Sequence, residues 1–180
     1  MSEKLILITN DDGVHAPGLK VLQQKLSSLG RVIVVAPHHQ RSGTSHALTT
    51  DVPLRIKELD TDFYSVSGYP ADCVYAAMYG LLPKKPDLTV SGINNGANLG
   101  IDVYYSGTVA GIRQSVIDGV NGFAVSLVID DNKECFYWDD VAEYSRMVAK
   151  KMLEQGYKKN GFLNINYPNI PAKDVKGTKI

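Results

Sequence analysis

Apolar, β-branched runs bounded by turn residues recur at residues 4–9, 31–36, 87–90, 122–129 and 162–167. Each run is continuous rather than alternating, which predicts strands covered on both faces. Between them, residues 17–26, 71–82, 108–117 and 139–153 carry helical spacing, and Pro17 suits a first helical turn. Strand and helix therefore alternate, and the expected fold class is α/β, with a mostly parallel sheet and helices on both faces. Residues 47–67 break the rhythm: Leu54-Arg55-Ile56-Lys57 and Phe63-Tyr64-Ser65-Val66 read as extended segments with no helix between them. A β-hairpin or sheet extension is expected there. The Pro, Gly and Lys-rich stretch 167–180 predicts no closing element of its own.

A chain of 180 residues suits a single domain with a genuine hydrophobic core. Its 19 basic and 19 acidic side chains cancel, so no overall field draws it to nucleic acid or an anionic membrane, and phosphate recognition has to be local. The run Leu5-Ile6-Leu7-Ile8 is far too short to span a bilayer and no basic leader precedes it, so a cytoplasmic location is expected. Cys73 and Cys135 lack the CxxC spacing of a redox or zinc site. Each is expected as a reduced, partly buried thiol without a role.

The candidate chemistry lies in three loops. Asn10-Asp11-Asp12-Gly13 follows the first apolar run directly, placing adjacent carboxylates where a buried strand leaves its sheet. Two like charges about 4 Å apart repel by about 4 kcal/mol at an effective dielectric of about 20, so a cation should neutralise them or one should hold a proton. The same four residues also favour a plain polar turn. The loop after the second strand, residues 37–46, holds Arg41, Ser42 and three of the four histidines. Loops at the carboxyl ends of neighbouring strands converge in such a sheet, so Asp11, Asp12 and Ser42 are candidates for one hard, all-oxygen cation site. The Gly and Asn-rich loop 91–100 adds Asn94, whose amide carbonyl is a neutral oxygen donor. Tyr104-Tyr105-Ser106-Gly107-Thr108 then leads into a helix, where main-chain amides and the hydroxyls of Ser106 and Thr108 can seat an anion, cap the helix, or both. Neither GxxxxGK[ST] nor a GxGxxG after the first strand is present, which argues against a nucleoside triphosphatase or a dehydrogenase.

Taken in order, the motifs ILITNDDG from Ile6, VAP from Val35 with Arg41-Ser42-Gly43, GYPADCV from Gly68, Ser91-Gly92-Ile93-Asn94, YSGTVAG from Tyr105 and LNINYP from Leu163 resemble the SurE survival-protein family of metal-dependent 5′-nucleotidases. The resemblance runs over nearly the whole chain. It implies a Rossmann-like domain that hydrolyses nucleoside monophosphates, with a range that can include 3′-nucleotides and polyphosphate. By motif position it implies one divalent cation, Mg²⁺ or Mn²⁺, on Asp11, Asp12, Ser42 and Asn94. Asp11 and Asp12 are then the catalytic candidates, and Asn94, Ser106, Gly107 and Thr108 the phosphate-binding ones. It further implies a homodimer or homotetramer, and members usually continue beyond the equivalent of Ile180, so residues 1–180 are expected to be one SurE-like α/β domain without those later segments. Two rival readings remain: a phosphatase with Asp11 as covalent nucleophile, which lacks the usual Asp-x-Asp spacing, and a nucleotide or metal sensor without turnover.

Overall fold

All five residues of the first strand, β1 (Leu5–Thr9), are buried, as a strand covered on both faces requires. The structure is a computed structural model and describes residues 3–129, 135–156 and 161–180. After β1 come α1 (Pro17–Leu26), β2 (Arg31–Pro37), the short strands β3 (Ile56–Asp60) and β4 (Phe63–Val66), α2 (Pro70–Ala76) and β5 (Leu88–Asn95). The chain continues through α3 (Asp102–Tyr105), α4 (Gly107–Ile117), β6 (Gly122–Val128), α5 (Trp138–Gln155) and β7 (Phe162–Pro168). The seven strands form one sheet in the order β3-β4-β2-β1-β5-β6-β7. Every pairing is parallel except that of β3 with β4, the hairpin expected from residues 54–66, which extends the sheet beyond β2.

Side chains of β1 alternate between the two layers. Ile6 and Ile8 join α1 and α5, packing with Leu19, Leu22, Val141 and Ala142. Leu5 and Leu7 face the other way, against Cys73 and Val74 of α2. On that same side α4 contributes Val109 and Ile112 against Ala124 of β6. Because β1 lies between β2 and β5, the chain leaves it first in one direction and later in the other. This reversal opens a crevice at the carboxyl ends of β1 and β5, where open α/β sheets bind ligands.

Several local expectations are corrected. Strand β5 continues through Asn95, past Ser91 where a loop was expected, because after a register shift its backbone pairs again with β6, Asn94 opposite Ser126 and Asn95 opposite Leu127. The helix expected over 71–82 is α-helical only to Ala76 and then widens into a π-helical turn, Ala77–Leu81. Gly80 and the approaching Pro83 both weaken α-helical continuation. Tyr104 and Tyr105 lie on the short helix α3 rather than in a loop, and a 3-10 turn at Ala172–Asp174 punctuates the end of the chain. Of the cysteines, both expected as partly buried, Cys73 is fully buried and Cys135 is exposed. Among the described residues no helix is long and apolar enough to cross a membrane.

Candidate active site

The turn after β1 presents the two carboxylates to the crevice. Asn10 Nδ2 donates to the Gly13 carbonyl at 2.9 Å, and Gly13 itself has a φ of +96°, which a side chain would strain. The Val14 N–H then donates to the Pro37 carbonyl at 2.8 Å, tying this turn to the end of β2. The loop beyond β2 docks on the pair as well, since the Arg41 N–H donates to the Asp11 carbonyl at 2.7 Å.

Asp11 lies against the N-terminus of α4. The Thr108 hydroxyl donates to Asp11 Oδ1, and a Cβ on Gly107 would fall 2.7 Å from Asp11 Cβ and 2.9 Å from its Oδ2. Only glycine permits this approach. Ser106 caps α4 by accepting the Val109 N–H at 3.1 Å. Asp12 is fixed from the other side of the crevice, where the Asn95 N–H at the end of β5 donates to its Oδ2 at 2.9 Å. Asn94 Nδ2 donates to the Gly96 carbonyl at 2.8 Å, so the amide nitrogen is engaged and Oδ1 is the atom left for a cation or a donor.

Electrostatics follow from this packing. Asp11 is 4% exposed, and burial pushes its pKa up to about 6, with the Asp12 charge adding to the rise and the Thr108 hydroxyl opposing it. Burial also raises Asp12, against the stabilising Asn95 amide. The repulsion expected of the pair is present at Asp11, burial adds to it, and a bound cation offsets both. Asn10 Oδ1 is buried beside them without a hydrogen-bond partner. A cavity of about 200 Å³ borders Asp12, walled by Gln40, Ile93, Asn95 and Trp138. That is room for several waters at roughly 30 Å³ each.

The predicted site residues are not equally close. Asp11, Asp12, Gly107 and Thr108 belong to one network of direct contacts with Arg41 and Asn95. Ser42 and Asn94 sit beside the residues whose main chains hold that network, and Ser42 Oγ accepts from Gln40 Nε2 at 3.0 Å. Among the described residues no hydrogen bond joins Ser42 or Asn94 to the aspartates, and no cluster of three or more His, Cys, Asp or Glu side chains could hold a metal. A cation here would depend on hydroxyl and amide oxygens beside the two carboxylates, a hard donor set that fits Mg²⁺ or Mn²⁺. The loop histidines have other partners: His38 Nδ1 lies 3.0 Å from Ser65 Oγ, and His46 Nε2 lies 3.0 Å from Gln114 Oε1. Two contributors escaped the sequence reading, the main-chain N–H groups of Arg41 and Asn95. A backbone donor carries no residue-type signal; adjacency to Ser42 and Asn94 was the only clue.

The fold and its motifs have close counterparts. The family model described as survival protein SurE matches residues 6–180. The 5′-nucleotidase SurE of Pelobacter propionicus is 46% identical over 171 residues, covering 95% of this chain and 68% of that protein. The 5′-nucleotidase SurE of Legionella pneumophila (strain Paris) is 44% identical over 175 residues, covering 97% of this chain and 68% of that protein. The crystal structure of the SurE protein from Aquifex aeolicus matches with a TM-score of 0.91 at 43% identity, covering 97% of this chain and 70% of that one. With the family model matching residues 6–180 and these relatives 43–46% identical over nearly the whole chain, the chain belongs to the SurE survival-protein family.

Proposed function

We propose that this protein is a divalent-metal-dependent phosphomonoesterase that hydrolyses nucleoside 5′-monophosphates to nucleoside and phosphate. The observation that carries the proposal is the Asp11–Asp12 pair, desolvated at the carboxyl end of β1 and set against the N-terminus of α4. Relatives named 5′-nucleotidase SurE support the substrate class. In this proposal Asp11, Asp12, Ser42 and Asn94 hold one Mg²⁺ or Mn²⁺. When bound, the cation supplies charge neutralisation and acidifies water for attack on phosphorus.

The chain's own groups do the rest. The N-terminal amides of α4, with Ser106, Gly107 and Thr108, receive the phosphate oxygens at the positive end of the helix dipole. Asn94 fixes the phosphate from the β5 side. Asp11, held by Thr108 at the N-terminus of α4, is placed to take a proton from the attacking water. Phosphate monoesters are among the slowest substrates known, so donors aimed at the equatorial oxygens must add to the cation's effect. The proposal extends to 3′-nucleotides and polyphosphate as further substrates, and to a cytoplasmic homodimer or homotetramer.

Phosphate release from AMP, GMP and a 3′-nucleotide is the direct test, first with EDTA and then with added Mn²⁺ or Mg²⁺. Release that stops with EDTA and returns with metal is the expected result. Tight AMP binding without release at any metal concentration would overturn hydrolysis in favour of a sensor, and a trapped phosphoaspartate at Asp11 would replace activated water by covalent attack.

A further inference from the structure

Arg41 serves two places. Its main-chain N–H braces Asp11, whereas its guanidinium lies over the Tyr69 ring, 5.0 Å from the centroid, and donates to the Ser67 carbonyl at 3.0 Å. Its Nε is buried and has no hydrogen-bond partner. A dry, unpaired N–H on a cation is an expensive arrangement.

Arg41 also lines a cavity of about 590 Å³, shared with Arg55. Among the described residues neither arginine is in an ion pair. Asp51 is the one carboxylate on the lining, so two arginines share it with a single acid. Asp72, nearby in the fold, is already committed: it accepts from the Thr49 hydroxyl at 2.7 Å and from the Tyr69 N–H at 2.8 Å. Leu48, Val52 and Pro53 add an apolar part to the wall beside Thr49, Ser67 and Tyr69. Guanidinium groups outside ion pairs select tetrahedral oxyanions, above all phosphate, and the volume suits a small organic molecule.

We propose that this cavity is a second phosphate subsite, distinct from the aspartate centre, which takes an organic phosphate between Arg41 and Arg55 with its apolar part against Leu48, Val52 and Pro53. The subsite stands without the hydrolytic reading; only the source of its phosphate depends on it. That source is either the distal phosphate of a doubly phosphorylated nucleotide bound at both places, or a separate organic phosphate.

The test uses the full chain treated with EDTA, titrated with inorganic phosphate and followed by thermal unfolding. Phosphate should raise the midpoint in the wild-type protein and in Asp12→Asn. Arg55→Gln, which alters an exposed side chain, should weaken the effect roughly ten- to a hundredfold. No rise in the wild-type protein, or an undiminished rise in Arg55→Gln, overturns the proposal. With metal restored, a higher KM of Arg55→Gln for adenosine 3′,5′-bisphosphate but not for AMP assigns the subsite to the substrate's distal phosphate. Unchanged KM values with a lost phosphate response assign it to a separate organic phosphate. Failure of both nucleotides to react at all would sink the nucleotidase reading while the thermal titration still decides the subsite.

Discussion

Asp11 and Asp12 are neighbours in sequence but are held by different partners, a hydroxyl on α4 and an amide on β5. Asp12→Asn keeps an acceptor for the Asn95 N–H and removes one charge from the proposed cation site. The variant should fold normally while Mn²⁺ affinity and AMP turnover each fall more than about a hundredfold. Calorimetric titration and phosphate release measure the two, and normal values of both would rule out the one-cation scheme. Gly107→Ala tests the other aspartate. Alanine favours helices over glycine, yet its methyl would land 2.7 Å from Asp11 Cβ and 3.2 Å from the Arg41 carbonyl. The expected net result is a loss of about 1–3 kcal/mol in urea unfolding, together with reduced turnover as Asp11 is displaced. A variant as stable and active as the parent would mean that α4 can retreat without disturbing the centre. Cys73 makes the contrasting case: burial raises its thiol pKa well above the ordinary value, which leaves it unreactive.

Helix α4 and strand β5 are the elements on which the site depends. Ser106 caps α4, and loss of a serine cap removes about 1 kcal/mol of stability. If Ser106 also serves the phosphate, as proposed, Ser106→Ala should lower kcat by roughly a hundredfold, a larger fall than lost capping explains. Comparing kcat with the urea midpoint separates the two roles, and a fall in stability alone would restrict Ser106 to capping. At the other end of the sheet Asp87 links β5 to β1, accepting from the Leu5 N–H at 2.9 Å, Lys4 Nζ at 3.1 Å and Lys84 Nζ at 3.3 Å. Partial burial acts to raise the Asp87 pKa, but these donors outweigh it and the net shift is downward. A carboxylate lowered in the folded state stabilises above its unfolded pKa of about 3.9 and loses that contribution as pH falls through the folded value. Asp87→Asn should therefore lower the urea midpoint at pH 7, and the difference from wild type should shrink below about pH 4. A difference independent of pH would show that charge plays no part in the link.

The sheet joins these parts into one cooperative core. Phe123 on β6 is fully buried in the layer shared with α1 and α5. Phe123→Ala should cost about 3–5 kcal/mol by urea unfolding, because the surrounding strands cannot collapse onto the space without breaking their ladders. A loss below about 1 kcal/mol would mean that this layer repacks freely. The strand order also explains why the site forms where it does. With β1 between β2 and β5, the aspartates, the 38–46 loop and the end of β5 reach a common crevice although they lie far apart along the chain.

The continuous apolar runs and their alternation with helical stretches were enough to read the α/β class, the position of the hairpin and the exit of an aspartate pair from a buried strand. These are local consequences of burial and periodicity, so they are written in residue types. The Asp11–Thr108 contact was half legible, since both residues stood out as candidates but their pairing spans most of the chain. The hold of Asn95 on Asp12 and of Arg41 on Asp11, the continuation of β5 along β6 and the unpaired face of the Arg41 side chain were not legible. Main-chain donors are the same at every residue, and strand pairing and burial depend on distant neighbours. Their partners are selected only when the sheet brings those neighbours together.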